Sequence, residues 1–212
     1  LSGNILLKPR EELADTYDRN LIQTLDWVGI DLTTESRWKD GQIRESSIQQ
    51  GFIRHLEGGL ASFIIDDDDT GESADIVAID ETLDTITVHF WHCKYAGEAT
   101  PGERAKDLYE VCGQAEKSVK WTWSLDTLVK HLIIRETEHC RGRPTRFIRG
   151  TTNGLVTLRK SARRKFVTFK IGIVQPGLSK ANIPPEHMAI IGATNSFIQT
   201  ITDSPLSVCG ST

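Results

Sequence analysis

ESADIVAIDETLDTITVHFWHCKYA, residues 72–96, reads as two strands joined by a turn. Val, Ile, Thr and aromatic residues dominate both runs, and Thr82, Leu83 and Asp84 fill the gap between them. Successive side chains on a strand face opposite ways, so His92 and Lys94 share one face. A hairpin closed at residues 81–84 carries Asp75, on the first strand, toward the end of the second. A lysine at the end of so apolar a strand costs free energy unless it is paired or used.

Working outward, ASFIID (61–66) reads as a preceding strand, and Asp66 to Asp69 with Thr70-Gly71 as a solvated turn. ESSIQQGFIRHLEGGL (45–60) reads as a short helix stopped by Gly58-Gly59. EELADTYDRNLIQTLDWVGI (11–30) has helical spacing at Leu13, Tyr17, Leu21 and Leu25. Downstream, PGERAKDLYEVCGQAEKSVKW (101–121) and SLDTLVKHLIIRETEH (124–139) read as helices, the first with Leu108, Val111, Cys112, Ala115 and Val119 on its apolar face. FVTFKIGIVQPG (166–177) reads as a strand ended by Pro176-Gly177, residues 184–201 as a helix and PLSVC (205–209) as a last strand. This order predicts an α/β fold, a mixed sheet flanked by helices. The division expected is an N-terminal extension over 1–44 and a domain over 45–212, compact as one unit.

The chain has 212 residues, and its 38% hydrophobic and 25% charged content is that of an ordinary globular protein. It has no apolar run of bilayer-spanning length and no signal-peptide pattern, so a cytoplasmic protein is expected, with no membrane partner. It does not begin with Met, which suggests a domain of a longer or processed chain. Cys93, Cys112, Cys140 and Cys209 form no C-x-x-C pair and are expected to be reduced. Cys93 is kept as a candidate metal ligand because His92 adjoins it. No P-loop, dinucleotide fingerprint or nucleophile elbow is present.

An aspartate beside a lysine-bearing strand end is the minimum for metal-assisted phosphodiester cleavage. Carboxylate oxygens suit Mg²⁺, and an ammonium group steadies developing charge. On Asp75, on His92-Cys93-Lys94, and on the helix carrying Glu110 and Gln114, the chain resembles the PD-(D/E)XK nucleases, the restriction-endonuclease-like superfamily. That pattern is an Asp on one strand and acid-x-Lys on the next. Residues 45–210 resemble nuclease domains of bacterial helicase-like or anti-phage defence proteins. The resemblance implies a restriction-endonuclease-like sheet, a Mg²⁺ cofactor (with Mn²⁺ as the alternative), and DNA as substrate. A helicase or other domain of the same parent chain is an expected partner. Asp75 would hold the metal with Glu72 or Glu110, Lys94 would orient water, and Gln114 would sit against the site. His92 stands where the family has an acid, and imidazole is a poor Mg²⁺ ligand. Glu45 or Glu57 is expected to match the family's first-helix acid. The competing expectation is a silent nuclease-like module that binds nucleic acid or a partner protein.

Net charge is −4, but the span 135–170 holds eleven Lys/Arg and two acids, a net +9 that leaves −13 on the rest. This bias predicts a phosphate-binding surface built from Arg141, Arg143, Arg146, Arg149, Arg159, Lys160, Arg163, Arg164 and Lys165. Trp121 and Trp123 have two readings, stacking on bases or packing in the core.

Overall fold

The computed structural model describes residues 17–97, 105–138, 140 and 142–212. Strands β4 (Phe63–Asp66), β5 (Ile76–Glu81) and β6 (Thr85–Cys93) form an antiparallel meander. It is extended in parallel by β8 (Phe166–Ser179), β9 (Ser207–Ser211) and the two-residue β1 (Gln23–Thr24). β7 (Phe147–Arg149) closes the other edge, antiparallel to β4. The seven-stranded mixed sheet runs β1-β9-β8-β6-β5-β4-β7. A separate two-stranded ladder joins β2 (Trp38–Lys39) and β3 (Gln42–Ile43).

Alternation along the strands builds two cores. Val77, Ile79, Ile86, Val88, Phe90 and Ile173 face α2 (Ala105–Ser118), α3 (Leu125–Glu138), α4 (Thr152–Ser161) and α5 (Pro185–Thr202). Ile64, Ile76, Trp91, Cys93 and Val174 face α1 (Ile48–Glu57) through Ile48, Phe52 and Ile53. Burial of both strand faces explains why β5 opens as a near-continuous apolar run, whereas β6 alternates half-buried and buried residues up to His89. Ser47 caps α1 by accepting from the Gln50 N–H at 3.2 Å. Among the described residues no helix is long and apolar enough to cross a membrane.

The sheet flanked by helices matches the sequence expectation, but three segments do not. Residues 17–30 form no α-helix; they hold a short 3-10 turn at Arg19–Leu21 and β1, and Leu13 lies outside the described residues. Tyr17 is buried instead, and its hydroxyl donates to Leu206 O at 2.7 Å. Of this upstream segment, β1 joins the main sheet beside β9, whereas β2 and β3 pair only with each other. The span after α3, to which the sequence reading assigns no element, contains β7 and α4. β8 runs past Pro176-Gly177 to Ser179, its pairing with β9 shifting between Val174 and Ser179. A proline is tolerated where the ladder is interrupted in this way.

Candidate metal centre

The loop between β4 and β5 is not a solvated turn, which corrects the reading of the aspartate run. Asp66 and Asp67 are buried. The N–H groups of Asp67 and Asp68 donate to Asp75 O at 3.0 and 3.1 Å, closing the loop on itself. Asp67 Oδ2 accepts from Ser73 N and Ser73 Oγ at 2.7 and 2.8 Å. A buried carboxylate also requires a cation, and Arg135 of α3 supplies it through Nε to Asp67 Oδ1. Arg135 further donates to Asp67 O at 2.6 Å and Thr70 O at 2.9 Å. Arg143 donates twice to Asp68 O at 2.9 Å, and Arg146 to Asp66 O and Asp68 O at 3.1 and 3.2 Å. Three guanidinium groups thus serve the carbonyls of Asp66, Asp67, Asp68 and Thr70.

Held this way, Asp68, Glu72 and Asp75 offer oxygen atoms that all lie within 4.8 Å of one another. Asp75 sits just before β5 and is buried. Burial, then the charges of Glu72 and Asp68, push its carboxyl well above the usual carboxylate range. Burial raises Glu72 to about 7, against a hydrogen bond from the Asp69 N–H, with Asp68 and Asp67 adding to the rise. Three like charges converging at one point are costly unless protonated or neutralised. An all-oxygen carboxylate set is what a hard divalent cation requires, so these residues fit Mg²⁺ or Mn²⁺.

The β5–β6 register pairs Ile76 with Trp91, which sets Asp75 across from His92 on the α2 face. The side chain of Asp75 takes over the ladder there, its Oδ2 accepting from the Cys93 N–H at 2.6 Å. His92 is buried, with Nε2 2.6 Å from Ser118 Oγ of α2. Ser118 donates its proton to Ser73 O at 2.7 Å, so its oxygen accepts from His92 Nε2–H. Nδ1 is then the bare nitrogen, 4.0 Å from Asp75 Oδ2 and without a hydrogen-bond partner. Burial lowers His92 to about 3, and the imidazole is neutral.

Lys94, two residues on, places Nζ 3.0 Å from Glu110 Oε2 and 3.2 Å from Glu35 Oε2. Burial pulls its pKa down; the bonds to Glu110 and Glu35 more than reverse this, and the ammonium is held above the usual lysine value. Compared with known proteins, the chain matches no family model, no curated protein and no solved structure. What the site can do is therefore read from its own geometry.

Of the two acids expected beside Asp75, Glu72 lies with it, whereas Glu110 pairs with Lys94. Cys93 lies in the apolar cluster on the α1 face, its thiol pushed up by burial, and is absent from the carboxylate group. Gln114 lies in α2 and lines a pocket with Glu72 and His92. Asp68 and Glu35 join the site without having been expected there from the sequence. Glu35, rather than Glu45 or Glu57, is the acid that reaches Lys94 from upstream; Glu45 instead pairs with Arg54 at 2.6 Å.

The basic span needs correction too. Arg143 and Arg146 are buried under the acidic loop and present no surface to a phosphate. Arg149 donates to Glu57 O, Gly59 O and Ala61 O at 2.6, 3.2 and 2.8 Å, serving carbonyls at and beyond the end of α1. Lys165 is bound to Glu81 at 2.8 Å, and Arg159 lies 3.4 Å from Asp126. Lys160, Arg163 and Arg164 remain on the surface, and Arg141 lies outside the described residues.

Proposed function

We infer that this chain is a metal-dependent phosphodiester hydrolase acting on DNA, a nuclease domain of a larger bacterial defence or DNA-processing protein. The observation that carries the reading is the carboxylate trio of Asp68, Glu72 and Asp75, set where β5 begins and beside the end of β6 that bears Lys94. The order α1, β4-β5-β6 antiparallel, α2, then β8 parallel to β6 supports a restriction-endonuclease-like arrangement.

Asp68, Glu72 and Asp75 would hold the cation, which when bound neutralises phosphate charge and acidifies water. The remaining work falls to the chain. Asp75 is fixed by the Cys93 N–H, so one oxygen is oriented before any ligand arrives. Lys94 keeps its proton at Nζ because two carboxylates flank it, and it can donate to a phosphate oxygen or to the attacking water. His92 stays neutral and ties β6 to α2 through Ser118, which in turn donates to Ser73 O in the loop before β5.

A catalytically silent, nucleic-acid-binding module is the second reading. It is favoured by His92, whose Nε2 is committed to Ser118 at the position where the family carries an acid. Calorimetric titration with Mn²⁺ and Mg²⁺, run beside cleavage of plasmid and linear DNA, separates the two. The hydrolase reading expects metal binding and cleavage in wild type. Asp75→Asn should lose both, and Lys94→Met should lose cleavage alone. Metal binding without any cleavage would favour the silent module; no metal binding would defeat the hydrolase.

A further inference from the structure

Glu72, on the edge of the carboxylate trio, also walls a pocket of about 170 Å³ lined by His92, Gln114, Lys117, Lys120 and Trp121. Three buried polar atoms of these residues have no hydrogen-bond partner: His92 Nδ1, Gln114 Oε1 and Trp121 Nε1. His92 is 2% exposed, so its bare nitrogen is not served by bulk water. Buried polar atoms are normally satisfied by protein, water or a ligand, and these three unserved atoms all belong to side chains that line this one pocket.

The chemistry of the lining narrows the class. Lys117 and Lys120 are exposed and pair with no acid among the described residues. The ring of Trp121 has His131 tilted against it, centroids 4.2 Å apart, and the Lys120 ammonium 5.3 Å from its centroid. What Trp121 has left to offer is its edge N–H, which needs an acceptor. His92 Nδ1 and Gln114 Oε1 need donors. Inorganic phosphate answers the lysines and leaves the two lone pairs unmet. A nucleotide answers all of them: phosphate oxygens for the ammonium groups, and a base edge with both acceptors and N–H donors. A base that offers its Watson–Crick edge in this way has given up its partner in a duplex.

We propose that this pocket takes one unpaired nucleotide of the strand being cut, so that the protein prefers single-stranded nucleic acid or a frayed end. Its place next to the scissile phosphate rests on the hydrolase reading; its affinity for a single strand does not.

The test is fluorescence anisotropy in EDTA, with a labelled short single strand and the same sequence as a blunt duplex, over a salt series. The single strand is expected to bind about tenfold tighter than the duplex. Lys117→Gln/Lys120→Gln, at exposed positions, should weaken it about tenfold and remove about 1.4 from the slope of log affinity against log salt. Trp121→Phe keeps the ring beside His131 and deletes the N–H, and should cost about fivefold. Equal binding of the duplex overturns the proposal, and so does wild-type affinity in either variant. Mn²⁺ calorimetry on the same preparations reads the trio separately. A protein that binds the strand and no metal loses the hydrolase reading and keeps the pocket. One that binds metal and cuts duplex as fast as single strand keeps the hydrolase and loses the pocket.

Discussion

Arg135→Met should be among the most damaging single changes in this protein. Arg135 is 4% exposed and Asp67 is fully buried, so the substitution leaves a carboxylate without its cation in a dry site. Two hydrogen bonds from Ser73 remain to Asp67, and His131 Nε2 lies 4.0 Å away. Donation to Asp67 O and Thr70 O is lost as well. Breaking one side of a buried pair costs about 3–5 kcal/mol. With a urea dependence of about 2.5 kcal/mol/M, the unfolding midpoint should fall by about 1–2 M. The assay is urea unfolding followed by circular dichroism, with Asp67→Asn and the double variant completing a cycle. The double variant should be less destabilised than the sum of the singles, because a neutral amide at this position strands no charge. A loss under about 1 kcal/mol for Arg135→Met, or strict additivity, would refute the clamp.

Further tests follow from the same contacts. Glu72 has a raised folded pKa, so the metal-free fold favours its protonated form, and that stability is lost as pH climbs from the ordinary glutamate value to about 7. Melting curves of Glu72→Gln should gain on wild type from about pH 5 to about pH 8 without metal, and saturating Mn²⁺ should reverse the order, because the variant lacks one of the three carboxylates. His92 has a lowered folded pKa, so its contribution is present above the ordinary histidine value and fades as pH falls toward about 3. His92→Asn should therefore be closest to wild type in acid, read in the same melts. Gly172→Ala places a Cβ against the six-membered ring of Trp91, and thermal unfolding should report a loss of about 1–3 kcal/mol. Arg149→Met should leave the carbonyls beyond α1 unserved, at about 1–2 kcal/mol in urea.

The hairpin bearing Asp75, His92 and Lys94 was legible because a period of two, a turn at 82–84 and bulky β-formers all agree there. The helix spacing of α2 was equally clear, and its apolar face of Leu108, Val111, Cys112, Ala115 and Val119 is the one the core receives. Asp68 was not legible: a run of aspartates reads as solvated, and only the arrival of Arg135, Arg143 and Arg146 from distant chain makes the burial of this loop tolerable. The same residues misled in the other direction. A block of basic residues looks like a surface until its partners are known, and carbonyl acceptors leave no mark in a sequence. Glu35 failed for a like reason, since it reaches Lys94 from an irregular segment with no periodicity to read.

The arginines that pin the aspartate loop come from 65 to 80 positions further along the chain. Such distant closure is slow and comes after local structure. During synthesis, then, the meander can pair while its acids still repel one another, and the centre forms only once the chain through residue 146 is available. A fragment ending before α3 would lack all three arginines, and Asp68, Glu72 and Asp75 would then be without the guanidinium groups that pin their loop in place.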